Sequence, residues 1–216
     1  MFRVVALDNA GGNIVDRLLS LGDFPDIQFV FCDTYEVDLM KHGRSTDRHV
    51  LLSNLPKCHE DLHDDNELMA VLVTGLGGEC SNRFGYDVIH ELWNYADRTY
   101  CFATLPTAFE GTERCRKATE LFDWINQYSD ITVLQDNGKL PENISINDMD
   151  YCLASLLQLA LDHPKKGLSD EKDELPLGVW ATQKQLMMAL RAKYSNYLPL
   201  ADYYEAGAIS FHKQKD

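Results

Sequence analysis

Residues Met69–Arg83, MAVLVTGLGGECSNR, decide the fold. Met69–Val73 is an apolar run with no polar alternation, which predicts a strand buried on both faces. Thr74-Gly75-Leu76-Gly77-Gly78 turns the chain, and a helix is expected from about Glu79. A glycine turn between a buried strand and a helix sets bare N–H groups beside a helix N-terminus, the arrangement by which α/β proteins hold phosphates. The residues after the turn, Glu79, Cys80, Ser81, Asn82 and Arg83, are larger, and one is acidic. Whether this turn still holds a phosphate is the functional question the sequence poses.

Working outward, the same pattern repeats. Phe2–Leu7 is a Val-rich run that ends in Asp8-Asn9-Ala10-Gly11-Gly12-Asn13, and Ile14, Val15, Leu18 and Leu19 then recur at helical spacing. Ile27–Cys32 predicts a second strand, closed by Asp33-Thr34, and His49–Leu52 a short third. After the Met69–Val73 strand, Tyr86, Ile89, Leu92, Trp93 and Ala96 mark one helix face. Thr99–Ala103 predicts a fifth strand, followed by Pro106 and Phe109-Glu110-Gly111. Cys115, Ala118, Leu121, Phe122 and Ile125 form the next helical stripe. Ile131–Leu134 predicts a sixth strand, and Met149, Cys152, Leu153, Leu156, Leu157 and Ala160 line a strongly apolar helix after it. Such alternation implies a mainly parallel sheet covered on both faces, with right-handed crossovers. Ligands in such sheets bind beyond the carboxyl ends of the strands, where the turns 8–13, 74–82 and 104–111 all lie.

Composition sets the outer bounds. The 216 residues are 45% hydrophobic and 25% charged, which suits one globular domain with a full core. A net charge of −14 argues against nucleic acid and anionic membrane surfaces as partners. The six cysteines form no C-x-x-C pair and mostly fall in apolar stretches, as free thiols in a reducing compartment do. With no leader and no apolar run of spanning length, the expectation is a cytoplasmic protein without membrane insertion. Asp162–Pro176 is charged and predicts a linker. Val179, Leu186, Met187, Leu190, Tyr194 and Tyr197 predict a helical extension over 177–216 that packs back on the domain.

Together these turns resemble the nucleotide-binding domain of the tubulin/FtsZ superfamily, closest to bacterial FtsZ, over about Arg3 to Leu161. That family opens with a glycine run ending in Asn, matched by Gly11-Gly12-Asn13. Its second strand ends in Asn-Thr-Asp, where Asp33-Thr34 and then Tyr35 stand here. Its Pro, Phe, Glu-Gly and Arg turn is matched by Pro106, Phe109-Glu110-Gly111 and Arg114. Its Asn-Asp-x-Leu is matched by Asn137-Gly138-Lys139-Leu140. The resemblance implies an α/β, three-layer, Rossmann-like domain over residues 1–161 that takes GTP or GDP. The implied nucleotide-binding residues are Gly11, Gly12, Asn13, Thr34, Gly75, Gly77, Gly78, Glu110, Arg114 and Asn137, with Glu110 on the ribose, Arg114 near sugar and base, and Asn137 reading guanine. Tyr151 is the nearest candidate for the aromatic that stacks on the base. Implied partners are the chain itself or another FtsZ-like protein.

Departures cluster at the phosphate end. Of the family's Gly-Gly-Gly-Thr-Gly-Thr-Gly signature only Gly77 and Gly78 remain. Each lost glycine that needed positive φ would cost about 1–2 kcal/mol. An inward Glu79 about 4 Å from a phosphate charge would cost about 4 kcal/mol at an effective dielectric near 20. Arg83 would offset part of this by pairing with Glu79 or with a phosphate. Ser53–Glu67 holds no glycine, unlike the family's loop that senses the terminal phosphate. No match is found to the loop that completes the neighbouring subunit's site, and the roughly 55 residues after Leu161 are too few for the family's second domain. The expectation is therefore a divergent FtsZ-like protein with degenerate GTPase chemistry acting as a binding, regulatory or assembly partner, with a nucleotide-binding protein or slow GTPase as the alternative.

Other groupings carry less. His59 and His63 share an i, i+4 face inside an acidic segment, but no second ligand cluster completes a metal site. Glu110 and Arg114 at i, i+4 form a surface ion pair as readily as a ligand site. Asn13 and Asn137 also suit a helix cap and a turn. Asp8 as a general base and Cys80 as a nucleophile have no activating histidine in their sequence context. A Rossmann-type enzyme using Asp8–Asn13 lacks the G-x-G-x-x-G spacing.

Overall fold

The computed structural model describes residues 2–52, 69–137, 145–162 and 209–211. The strands are β1 (Phe2–Leu7), β2 (Ile27–Asp33), β3 (Arg48–Leu51), β4 (Met69–Gly75), β5 (Arg98–Leu105), β6 (Ile131–Asp136) and β7 (Ile209–Phe211). The helices are α1 (Asp8–Leu21), α2 (Glu36–Leu39), α3 (Glu79–Tyr95), α4 (Thr112–Tyr128) and α5 (Ile146–Asp162). They build a seven-stranded sheet of order β3-β2-β1-β4-β5-β6-β7. The first six strands are parallel, and β7 joins the β6 edge antiparallel, with Ile131 opposite Phe211.

The apolar runs are explained by burial on both faces. Val4, Ala6, Phe29, Phe31, Val71, Val73, Tyr100 and Phe102 meet α1 and α5 on one side. Their neighbours in sequence, Val5, Leu7, Val30, Cys32, Ala70, Leu72, Cys101 and Ala103, meet α3 and α4 on the other. The period of two thus feeds both layers, and each large apolar side chain so buried contributes about 1.5–3 kcal/mol. Ile14, Val15 and Leu18 of α1, and Cys152, Leu153, Leu156 and Leu157 of α5, supply the helical side of the first layer.

On α3 the buried stripe is Phe84, Val88, Ile89 and Leu92. Tyr86 and Trp93, expected on that face, are instead 37% and 36% exposed. With Phe84 and Val88 filling the core, positions 86 and 93 fall on the flank of the helix. There Tyr86, His90 and Trp93 meet Trp124 and Tyr128 of α4 in an aromatic cluster with ring centroids 5.1–6.2 Å apart. The cysteines at 32, 80, 101 and 152 are free and buried, as their apolar settings predict. Of the predicted C-terminal extension only β7 is described; the linker 162–176 beyond Asp162, the helix expected over 179–197 and the His59/His63 pair lie outside the described residues.

Candidate functional site

In the strand order, β1 and β4 lie side by side, although the chain visits β2 and β3 between them. This is the switch point at which doubly wound sheets open a crevice beyond their carboxyl ends. α1 starts there at Asp8, and the β4–α3 turn runs from Gly75 to Gly78, so both glycine turns of the sequence converge.

Asp8 stands where they meet. Its φ of 65° makes it the one non-glycine residue with positive φ among the described residues. Its Oδ1 accepts the N–H groups of Ala10 at 2.9 Å and Gly11 at 3.0 Å, and that of Gly75 lies at 3.5 Å. Its other oxygen, Oδ2, lies against Gly78, where a Cβ would come within 3.1 Å of it. A carboxylate therefore occupies the amides of the first turn and touches the second. Burial raises its pKa from 3.8 to about 6, against an opposing pull from the Gly11 amide, the Ser81 hydroxyl and the amides of Gly75 and Ala10.

The replacements after the second turn behave differently from the expectation. Glu79 is exposed at the first residue of α3, where the helix dipole favours it. No residue from Glu79 to Arg83 takes positive φ, so the cost expected of lost glycines is not incurred there. Cys80 turns into the core, and its thiol is pushed up to about 12 by burial and by the nearby Asp33 and Asp8, which keeps it protonated. Ser81 is fully buried and donates its hydroxyl to the Gly75 carbonyl at 2.7 Å, which ties the start of the turn to the helix. The Arg83 guanidinium lies over the Phe84 ring at 5.0 Å rather than in the crevice.

The remaining candidates fall into four places. Gly77, with φ 85°, packs on Arg114, whose carbonyl would stand 2.7 Å from any Cβ placed there. Arg114 Nε in turn pairs with Glu110 Oε2 at 3.1 Å, and Glu110 Oε1 accepts the Thr107 N–H at 2.8 Å. Thr34 closes β2 beside the Cys80 thiol, and its N–H is donated to Asp33 Oδ1 at 2.6 Å. Asn13 lines a cavity of about 200 Å³ with Asp16, Arg17, Ile146, Asn147 and Asp150. Burial raises the Asp150 carboxyl to about 6, with Arg17 opposing. Tyr151 is half-buried on α5 beside Asp150, and it is Asp150 that faces this cavity. Asn137, just past β6, accepts from Gln135 Nε2 at 3.0 Å, and the same nitrogen reaches the Met149 carbonyl of α5 at 3.1 Å.

The glycines of α1 serve packing. A Cβ at Gly11 would stand 2.3 Å from the Val73 carbonyl oxygen of β4, and one at Gly12 would stand 2.4 Å from the His42 ring. His42 was not singled out in the sequence, yet it is buried and held on both nitrogens, Nδ1 at 2.7 Å from Asp16 Oδ2 and Nε2 at 2.9 Å from Asn9 Oδ1. The cavity residues Asp16, Arg17 and Asp150 were likewise missed. The available signal for Asp8 was an acceptor side chain where a strand gives way to a helix, which is capping chemistry. Among the described residues no group of three or more His, Cys, Asp or Glu is arranged to hold a metal.

A switch-point crevice between β1 and β4, with two glycine turns beside it, is that of a Rossmann-like α/β fold. More particularly, the chain has the fold of the tubulin/FtsZ-superfamily nucleotide-binding domain. It is similar to FtsZ of M. jannaschii, solved as an empty dimer, with 20% identity and a TM-score of 0.66 over 75% of this chain and 54% of that one. It is similar to CetZ2 of Haloferax volcanii, solved as a GTPγS-bound protofilament, with 18% identity and a TM-score of 0.66 over 78% of this chain and 60% of that one. The Clostridium botulinum phage c-st TubZ matches at 14% identity and a TM-score of 0.63 over 99% of this chain and 76% of that one. No family model and no curated protein sequence matches the chain. No helix among the described residues is long and apolar enough to cross a membrane.

Proposed function

We propose that this chain is a divergent FtsZ/tubulin-like protein with degenerate GTPase chemistry, acting as a binding, regulatory or assembly partner of itself or of another FtsZ-like protein. One observation carries the reading. The amides that would receive a phosphate at the α1 turn already receive the Asp8 carboxylate, at 2.9 and 3.0 Å. A nucleotide γ-phosphate would have to displace an anion that the chain itself supplies. The similar FtsZ and CetZ2 structures are a dimer and a protofilament, which supports assembly as the mode of action. The test is phosphate release from GTP alongside light scattering, with the chain alone and mixed with an FtsZ-like partner. Little or no turnover, with partner-dependent scattering, is expected. Turnover by the purified chain at the rate of an assembling FtsZ would refute the proposal.

A second reading, a GTP- or GDP-binding protein or slow GTPase, is favoured by the cavity beside Asn13. That cavity stays open and polar while the phosphate end is filled. Thermal shift with GTP, GDP and ATP separates the two, because a ligand that binds only the folded state raises stability.

A further inference from the structure

We infer that Asp8 is the specificity determinant of this site: its carboxylate is a resident anion standing on the turn amides, so that the site rejects phosphate groups, and removing it converts the paired turns into an anion-binding cradle. The inference rests on the reading of this crevice as a nucleotide site whose chemistry has decayed, and it names the atom group responsible.

Three features single out Asp8. Its acceptor atom lies within hydrogen-bond reach of amides from two separate elements, α1 and the end of β4. Its backbone holds a φ of 65°, the left-handed region that glycine adopts freely and that aspartate and asparagine also visit. Its second oxygen touches Gly78, so the carboxylate spans the gap between the turns. The groups facing it leave its charge uncompensated. The side chain that hydrogen-bonds it, Ser81 of α3, is neutral, and the nearby Cys80 thiol stays protonated. Arg114, which packs on Gly77 of the second turn, is paired with Glu110. An incoming phosphate therefore meets a like charge at the amides themselves. At about 4 Å and an effective dielectric near 20, that repulsion is worth on the order of a thousandfold in affinity.

The test uses the full chain and its Asp8→Gly variant, titrated calorimetrically with pyrophosphate and with sulfate at pH 7.5. The variant keeps the backbone geometry available and frees the amides. Wild type should bind neither anion measurably, and D8G should bind pyrophosphate at least a hundredfold more tightly. Should D8G fold poorly, wild type with sulfate at pH 5 and pH 7.5 gives a second reading, because sulfate keeps its charge across that range while the Asp8 carboxyl, with a pKa of about 6, becomes neutral. Sulfate affinity should then rise at least tenfold at pH 5. Equal pyrophosphate affinity for wild type and D8G, or a folded D8G that binds no anion, overturns the inference while an inert wild type leaves the degenerate-site reading standing. Rapid GTP turnover by wild type would remove that reading instead.

Discussion

Replacing Asp8 by Asn should stabilise the protein at neutral pH and leave it unchanged in acid. The carboxyl titrates at about 6 in the folded chain against 3.8 for the free group, because burial outweighs the amides that solvate its charge. At 1.36 kcal/mol per pH unit, the folded state prefers the neutral form by at most about 3 kcal/mol. The sign follows from proton binding. Between the two pKa values the folded chain holds more protons than the unfolded one, so the Asp8 contribution falls as pH rises from about 4 to about 6 and stays at its lowest above that. Asparagine keeps an Oδ1 acceptor for Ala10 and Gly11, tolerates positive φ, and carries no charge. The stability difference, D8N minus wild type, should thus be near zero at pH 4 and reach up to about 3 kcal/mol at pH 8. Urea unfolding at a series of pH values measures it, with the other carboxylates common to both chains and cancelling. A difference that is flat with pH, or a D8N that is less stable at pH 8, would refute the assignment of Asp8 as a partly buried, uncompensated charge.

Two further substitutions probe the frame around Asp8. Gly12→Ala should destabilise by about 1–3 kcal/mol through overpacking, since its Cβ would meet a His42 ring pinned by Asp16 and Asn9; the urea midpoint measures this, and combining it with His42→Ala should recover part of the loss. Ser81→Ala should cost about 1–3 kcal/mol, read in the same assay, because the Gly75 carbonyl loses its 2.7 Å donor in a buried setting.

The sheet was legible because its strands are covered on both faces, so Phe2–Leu7, Ile27–Cys32 and Met69–Val73 appear as unbroken apolar runs. Their ends were less so. β4, β5 and β6 run on to Gly75, Leu105 and Asp136, since the parallel ladder continues to recruit polar residues after the apolar run has stopped. Tyr86 and Trp93 were misplaced because aromatic rings at helical spacing look alike whether they fill a core or pack on one another at a surface. β7 has no local signal; three residues become a strand only because β6 offers a free edge.

The candidate site divides along the same line. Gly75, Gly77, Gly78 and the Glu110–Arg114 pair were visible as short motifs, and the fold does bring Gly77 and Arg114 into contact. The contact between Asp8 and Gly75 joins residues 67 apart in sequence, and no local pattern announces it. Attention fell on Glu79 because it interrupts a glycine signature, but entry into a helix disposes of Glu79 on the surface.

Glycine retention is therefore weak evidence for a ligand in this chain. Gly11 is needed where α1 touches the Val73 carbonyl, Gly12 where His42 fills the gap beside the helix, and Gly77 where the turn presses on Arg114 with φ 85°. Each requirement holds with an empty site. The informative position is one where packing does not demand the residue found. At Asp8 the left-handed backbone is one that glycine, asparagine and aspartate all adopt, and packing does not demand the carboxyl that the chain desolvates there. A left-handed backbone and a displaced pKa that coincide at the mouth of a crevice make Asp8 a sharper candidate position than the glycines around it. Under the proposed function the amides accepting that carboxylate are those that a phosphate would use, so the residue that marks the crevice is also the one that would keep a phosphate from it.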